Sequence, residues 1–330
     1  MASKHLATIG ILSIGDMGAG IARLLHAHNY KVITNVTGRS ASTQSRASAA
    51  SITLLPTDED LVAQADYILS IVPPRDAIAT ATRIASAFKP QERQAAEPLY
   101  FLDLNAISPA TARTIGALFK DHDDTKLRYV DGGIIGGPPK PPPASASSDA
   151  NGTTPWTRPS IVLSGPHPLS AAPTSGSHLF SLLNARDVGP DIGSASGLKC
   201  CFASLTKGFT ALAIQSYSTA ARLGVLDELR GHLAGFAPKL KEQGEKGVVG
   251  MAPKAYRWVD EMREIGRTFR EDGGWAEEWG DGIYDSIAGT YRFVADGTVL
   301  GEETIEKRKR GTLEDVVEAL KEGLEETDKL

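Results

Sequence analysis

The chain has 330 residues, 41% of them hydrophobic and 23% charged, with a formal net charge of −5 and a pI near 5.9. That length can bury a large core and suits two domains, and the mild acidity gives no reason to invoke nucleic acid. No apolar run is long enough to span a bilayer, so the expected partner is a small molecule, not a membrane or a nucleic acid.

The first element is a short apolar strand ending at Ile11-Leu12, followed by Ser13-Ile14-Gly15-Asp16-Met17-Gly18 and a helical pattern through Leu25. A strand, a tight glycine turn and a helix make a ready site for a dinucleotide pyrophosphate. Gly15 lets the backbone approach the phosphates, Gly18 lets the helix pack close to the strand, and the free N–H groups at the helix start bind the anion. Ser13 stands where G-x-G-x-x-G has its first glycine. The next strand, Lys31 to Thr37, runs into Gly38-Arg39-Ser40. An NAD enzyme carries an acid about twenty residues past the turn, for the ribose 2′-hydroxyl. Here no acid occurs between Asp16 and Asp58. Arg39 and Ser40 suit a 2′-phosphate, which a carboxylate would repel, so NADP is the expected cofactor. The other reading of Arg39 is a solvated loop charge.

Further buried strands are expected at Tyr67–Val72, ending at Pro73-Pro74, and at Leu99–Leu104, Leu127–Asp131 and Ser160–Ser164. Strands spaced by helical patterns imply a doubly wound parallel sheet. The Pro/Ser/Ala-rich stretch 138–159 has almost nothing to bury and is expected to be a mobile insertion. From about Gly193 onward helical patterns dominate. Leu198–Gln215 is apolar on most sides, as a buried helix is. Thr312-Leu313-Glu314-Asp315 resembles a capping box ahead of a final amphipathic helix. The fold class is therefore α/β, a Rossmann-type doubly wound sheet over 1–192, followed by an all-α domain over 193–330.

The two cysteines, Cys200 and Cys201, are adjacent. Neighbours on a helix point about 100° apart and are poorly placed to bridge each other. That usage fits a reducing compartment. Met1–His5 lead straight into the first strand with no signal peptide, so a cytoplasmic location is expected. The seven histidines show no metal-ligand spacing, and no metal is expected.

Taken in order, these blocks resemble the β-hydroxyacid dehydrogenase and 6-phosphogluconate dehydrogenase superfamily, which also contains imine reductases. Gly10–Gly18 resembles the opening glycine block. Ile71-Val72-Pro73-Pro74 resembles the strand end beneath the nicotinamide. Asp103-Leu104-Asn105-Ala106-Ile107-Ser108-Pro109 resembles D-x-S-T-x-x-P. Val130–Gly137 resembles V-D-A-P-V-S-G-G. Gly193-Ser194-Ala195-Ser196-Gly197-Leu198-Lys199 resembles the G-x-G-x-x-x-K that opens the interdomain helix. The second half looks most like a phosphogluconate-dehydrogenase-like branch.

The resemblance implies an NADP-dependent dehydrogenase or reductase acting on a hydroxy acid or related alcohol or carbonyl, assembled as a homodimer. Lys199 would be the general acid/base. Ser13, Ile14, Gly15, Asp16, Met17, Gly18, Arg39, Ser40, Val72, Pro73, Pro74 and Asn105 would hold the cofactor. Asn105, Gly136, Gly137 and Lys207 would meet substrate. Each polar candidate has a plainer reading: Lys199 a snorkelling lysine at a helix start, Asn105 a turn stabiliser, Lys207 an interdomain ion pair. Three family positions depart from the pattern. Ile135 replaces the serine that grips substrate carboxylate, Ala203 replaces an asparagine, and Asn105-Ala106 replaces Ser-Thr. Each change removes a polar contact to a small hydroxyacid. The rival readings are imine reduction and a catalytically silent NADP-binding regulator.

Overall fold

The computed structural model describes residues 5–38, 41–120, 126–142, 156–275, 282–303 and 309–327. The chain divides into two compact units, Met1–Lys199 and Cys200–Leu330.

The first unit is built on eight strands: β1 Thr8–Leu12, β2 Lys31–Asn35, β3 Thr53–Leu55, β4 Tyr67–Ser70, β5 Leu99–Asp103, β6 Leu127–Ile135, β7 Ser160–Ser164 and β8 Ala185–Asp187. They form one sheet in the order β3-β2-β1-β4-β5-β6-β7-β8. All neighbours are parallel except β6 and β7. The doubly wound parallel sheet expected from the sequence is present, with one antiparallel pair at β7. An antiparallel pair needs no crossover helix, and the ribbon leaving β6 extends as far as a backbone bridge between Lys140 and Thr157. Residues 143–155 of the proline-rich stretch lie outside the described residues. Its flanks pack: Pro139 is buried, Pro138 and Pro139 crowd Gly20, and Trp156 meets His28 edge-on at 6.3 Å.

Helices cover both faces. Helices α1 (Asp16–Ala27), α2 (Ala41–Ala49) and α6 (Gly176–Leu182) share a core with Ile9, Ile11, Val32, Leu69 and Leu102. Helices α3 (Asp58–Gln64), α4 (Ala77–Ala87) and α5 (Pro109–Lys120) share the opposite core with Ile33, Ile68, Phe101 and Tyr129. Strands buried on both faces read as near-continuous apolar runs, which is why β1, β4 and β5 are legible in the sequence.

Helix α7 (Ser194–Arg222) begins in the first unit and runs on into the second, which also holds α8 (Leu226–Phe236), α9 (Pro238–Met251), α10 (Ala255–Glu271), α11 (Ile283–Asp296) and α12 (Leu313–Thr327). Ala203, Tyr217, Val248, Met262, Tyr291 and Val316 lie in its core. Helix α7 is not buried all round, as its composition suggested: Phe202, Leu205 and Leu212 are exposed in the single chain. No helix among the described residues is long and apolar enough to cross a membrane.

The β1–α1 turn makes the close packing at Gly18 testable. A Cβ on Gly18 would strike the carbonyl oxygen of Ser13, whereas a Cβ on Gly15 would enter open space. Gly18→Ala should destabilise the protein by about 1–3 kcal/mol, the usual range for overpacking, and Gly15→Ala by clearly less. Urea denaturation of both variants checks this; equal losses would contradict the packing argument.

Candidate functional site

Three strand ends meet at the carboxyl edge of the sheet, where the strand order reverses between β1 and β4. Open α/β sheets bind ligands in such a crevice. The β1–α1 turn carries Ser13 at φ 75°, the conformation a glycine adopts more easily. Gly15 is the N-cap of α1, and no side chain caps this helix start. The first N–H groups of a helix have no intrahelical partner, and Gly15 beside them is exposed. Ile14 is buried; Asp16 and Met17 are half-buried. Arg46, on α2, donates from Nε to the Ile14 carbonyl at 3.0 Å and from Nη2 to Thr43 Oγ1 at 3.2 Å. Arg39 and Ser40 lie outside the described residues.

The ends of β4 and β5 are tied by Asn105. Its Oδ1 accepts from the Val72 N–H at 2.7 Å, and its Nδ2 donates to Ser70 Oγ at 3.1 Å. Its own N–H donates to Asp103 Oδ1 at 3.0 Å. Asn105 and Val72 are buried, while Pro73 and Pro74 are half-buried. The Asn105 side chain thus shapes the turn that carries Val72 and Pro73.

Strand β6 and the start of α7 meet at a buried carboxylate. Asp131 accepts from Ser164 Oγ (2.9 Å), the Gly193 N–H (2.9 Å), the Ser196 N–H (3.2 Å) and Ser196 Oγ (2.5 Å). Ser164 Oγ also accepts from the Ala195 N–H at 3.0 Å. Gly193 has φ +107° and presses against Pro109, so a side chain has no room there. Two residues past Asp131, a Cβ on Gly133 would lie 2.8 Å from Lys199 Cβ. Lys199 is half-buried. Gly136 (φ +120°) and Gly137 are exposed at the end of β6.

Asp103 and Asp131 sit opposite each other on β5 and β6. Burial pushes the Asp103 carboxyl up to about 7, against the Asn105 N–H and with the neighbouring Asp131 charge. Asp103 Oδ2 has no hydrogen-bond partner among the described residues. Burial also pushes Asp131 up, opposed by its bonds from Ser196, Ser164 and Gly193.

Lys207 belongs to the second unit. Its ammonium is ion-paired to Glu261 and stands 4.9 Å from the Trp258 ring centroid. The Tyr291 hydroxyl donates to its backbone carbonyl at 2.6 Å. The pair lies within one unit, where the sequence reading offered a bridge between domains. Cys200 is buried and Cys201 exposed, both as free thiols. No metal-binding cluster occurs among the described residues. The Asp131 network is the feature that sequence reading missed. Its only signal was an acid in an apolar strand and a serine-rich helix start, 65 positions apart.

Residues 8–92 match a family described as NADP oxidoreductase, coenzyme F420-dependent. Residues 220–294 match a domain of unknown function, DUF1932. No curated protein matches the chain. Among solved structures, it is similar to 3-hydroxyisobutyrate dehydrogenase from Salmonella typhimurium (TM-score 0.61, 16% identity, 94% of this chain and 99% of that one). It is also similar to a conserved hypothetical protein from Sinorhizobium meliloti 1021 (TM-score 0.60, 20% identity, 96% and 97%). A third is 3-hydroxyisobutyrate dehydrogenase from Mycobacterium tuberculosis (TM-score 0.58, 17% identity, 88% and 94%). The chain thus shares its fold with these solved structures: a Rossmann-type domain, then a helical region that includes the DUF1932 segment.

The buried acid pair generates a pH prediction. Asp103 has its ordinary value of 3.8 when unfolded and about 7 when folded, so the folded state binds its proton more tightly. Its contribution to stability is therefore greatest at low pH and is lost as pH rises from about 4 to about 7. Asp103→Asn never ionises. Its stability relative to the parent should rise between pH 5 and pH 8 by more than ~1.4 kcal/mol, the equivalent of one pH unit of displacement. Denaturant melts at both pH values measure this; a constant difference would mean that Asp103 ionises freely.

Proposed function

We propose that the protein is an NADP-dependent oxidoreductase, with Lys199 as the general acid/base for a hydroxy acid or related alcohol/carbonyl pair. The observation that carries the cofactor reading is the uncapped start of α1 beside exposed Gly15, joined to the match of residues 8–92 to an NADP oxidoreductase family. The residues fit the group. Ser13–Gly18 and the α1 N-terminus would hold the pyrophosphate, and the turn Val72-Pro73-Pro74, braced by Asn105, would support the nicotinamide. When bound, the cofactor supplies the hydride. Arg39 and Ser40 would take the 2′-phosphate, since no acid intervenes between Asp16 and Asp58.

In this reading Lys199 takes the hydroxyl proton in oxidation and returns it in reduction. Its support is its place on α7, seated against Gly133 of β6. Exposed Gly136 and Gly137 end the same strand and are proposed to meet substrate there. Asn105 would act through the turn it braces, and Lys207, already paired with Glu261, would share its charge with a substrate anion.

The test is a fluorescence titration of NADPH and NADH, followed by turnover with a carbonyl panel. NADPH should bind more tightly than NADH. Arg39→Ala should weaken NADPH by about 1.5–3 kcal/mol, the range of a charge-assisted hydrogen bond, and leave NADH nearly unchanged. Lys199→Met should keep cofactor affinity and lose a factor of ~10²–10⁴ in rate. Equal losses of both cofactors would remove the NADP assignment. Full turnover by Lys199→Met would shift the reading to imine reduction with an acid supplied elsewhere, and no turnover with any carbonyl or amine would favour a regulator.

A homodimer is the proposed assembly, in a reducing, cytoplasmic setting. Phe202, Leu205, Phe209 and Leu212 follow one another on α7 at alternating intervals of three and four, the spacing of a helix–helix seam. Three of the four are exposed in the single chain. Sedimentation equilibrium should give a dimer at micromolar concentration, and Leu205→Glu with Leu212→Glu should give a folded monomer. A parent protein that is monomeric throughout would refute the assembly.

A further inference from the structure

Strand β6 touches the start of α7 at two points on one strand face. Asp131 accepts the Gly193 and Ser196 N–H groups and the Ser196 hydroxyl. Gly133 leaves room for the Lys199 stem, which a Cβ there would meet at 2.8 Å. Residues two apart on a strand share a face, and residues three apart on a helix share a side. Ser196 and Lys199 therefore engage Asp131 and Gly133 in register. Ser164 closes the arrangement from β7, donating to Asp131 and accepting from the Ala195 N–H.

We propose that Asp131 is a positioning residue for Lys199: its buried carboxylate gathers the N-terminal donors of α7 and thereby sets the rotation and depth at which Lys199 meets β6. The inference rests on the reading of Lys199 as the proton-transfer group. Asp131 is fully enclosed, so it acts through the helix and not on a reacting atom. A carboxylate suits the place because four donors converge on it and because the helix start favours negative charge. An amide has one acceptor oxygen and would turn its NH₂ towards some of those donors.

The experiment needs no substrate. Acetic anhydride is pulsed onto the full-length protein over a pH series, and acetylation at Lys199 and Lys207 is quantified by peptide mass spectrometry. The parent, Asp131→Asn and Ser196→Ala are compared, each first shown to be folded by circular dichroism. Asp131→Asn should displace the Lys199 profile by about half a pH unit or more, a threefold change in the uncharged fraction. Ser196→Ala should move it less and in the same direction, and Lys207 should keep its profile in both. If Asp131→Asn does not fold, Ser196→Ala and Ser164→Ala carry the test. Superimposable Lys199 profiles in the folded variants would overturn the proposal, and so would an equal displacement at Lys207, which signals general loosening. Failure of the underlying reading shows differently: Lys199→Met would turn over normally while the labelling still moved.

Discussion

The enclosed carboxylate of Asp131 is the interaction on which the rest of the site depends. An ionised carboxylate removed from water carries a desolvation penalty of several kcal/mol. Here hydrogen bonds from Ser164, Gly193 and Ser196 offset it. Three of those donors belong to the start of α7, where unsatisfied N–H groups and the helix dipole both favour an anion. Each side thus answers a deficit of the other. The consequence is mechanical: the first turn of α7 is anchored to the sheet, and in the proposal above Lys199 takes its position from that anchor.

A second carboxylate lies directly across the strand pair, and the two environments differ. Asp131 collects four bonds, whereas one oxygen of Asp103 finds no partner among the described residues. Two like charges on adjacent buried strand positions repel, so the pair favours a single charge. The bonds from Ser196, Ser164 and Gly193 oppose the upward push of burial on Asp131, while Asp103 holds a proton to near neutral pH. Asp103 is still useful in that state. Its Oδ1 accepts the Asn105 N–H, and Asn105 in turn braces Val72. The acid pair therefore links the turn proposed to support the nicotinamide to the strand that anchors the proposed proton-transfer group.

Much of this was legible in the chain because buried parallel strands are written as apolar runs. Strands β1, β4, β5 and β7 stand out for that reason. Strands β3 and β8 do not: Thr53-Leu54-Leu55 and Ala185-Arg186-Asp187 are three-residue edge strands, largely exposed, with too little pattern to detect. Strand β6 reads as ending at Asp131, because Gly132 and Gly133 look like a turn. They continue the strand, since a side chain at either would collide, with Leu104 and Leu163 at Gly132 and with Lys199 at Gly133. Local pattern carries no information on such long-range contacts. The same limit hid the partners of Asp131, which lie 33 to 65 positions away, and the pairing of Lys207 with Glu261. Helix α7 misled in the other direction. A helix with apolar residues on most sides reads as buried within one chain, but the same pattern arises when one face awaits another helix.

The imperfect glycine motif shows which departures a phosphate turn tolerates. Ser13 occupies a left-handed conformation, which for an L-residue costs about 1–2 kcal/mol. That is a local penalty, and a large domain core can offset it. Nothing else has to move, because Ser13 is half-exposed and its side chain has solvent beside it. Gly18 is different in kind. Its missing Cβ is replaced by the Ser13 carbonyl oxygen, so any side chain there pushes the helix off the strand and moves the donors at the α1 start. At Gly15 no described residue comes within reach of a side chain, so the backbone there is open to the close approach that the proposed cofactor needs. A motif judged by letters loses one glycine of three here. Judged by physical roles, the close approach at Gly18 and the open approach at Gly15 are both intact, and the loss at Ser13 is one of backbone energy alone.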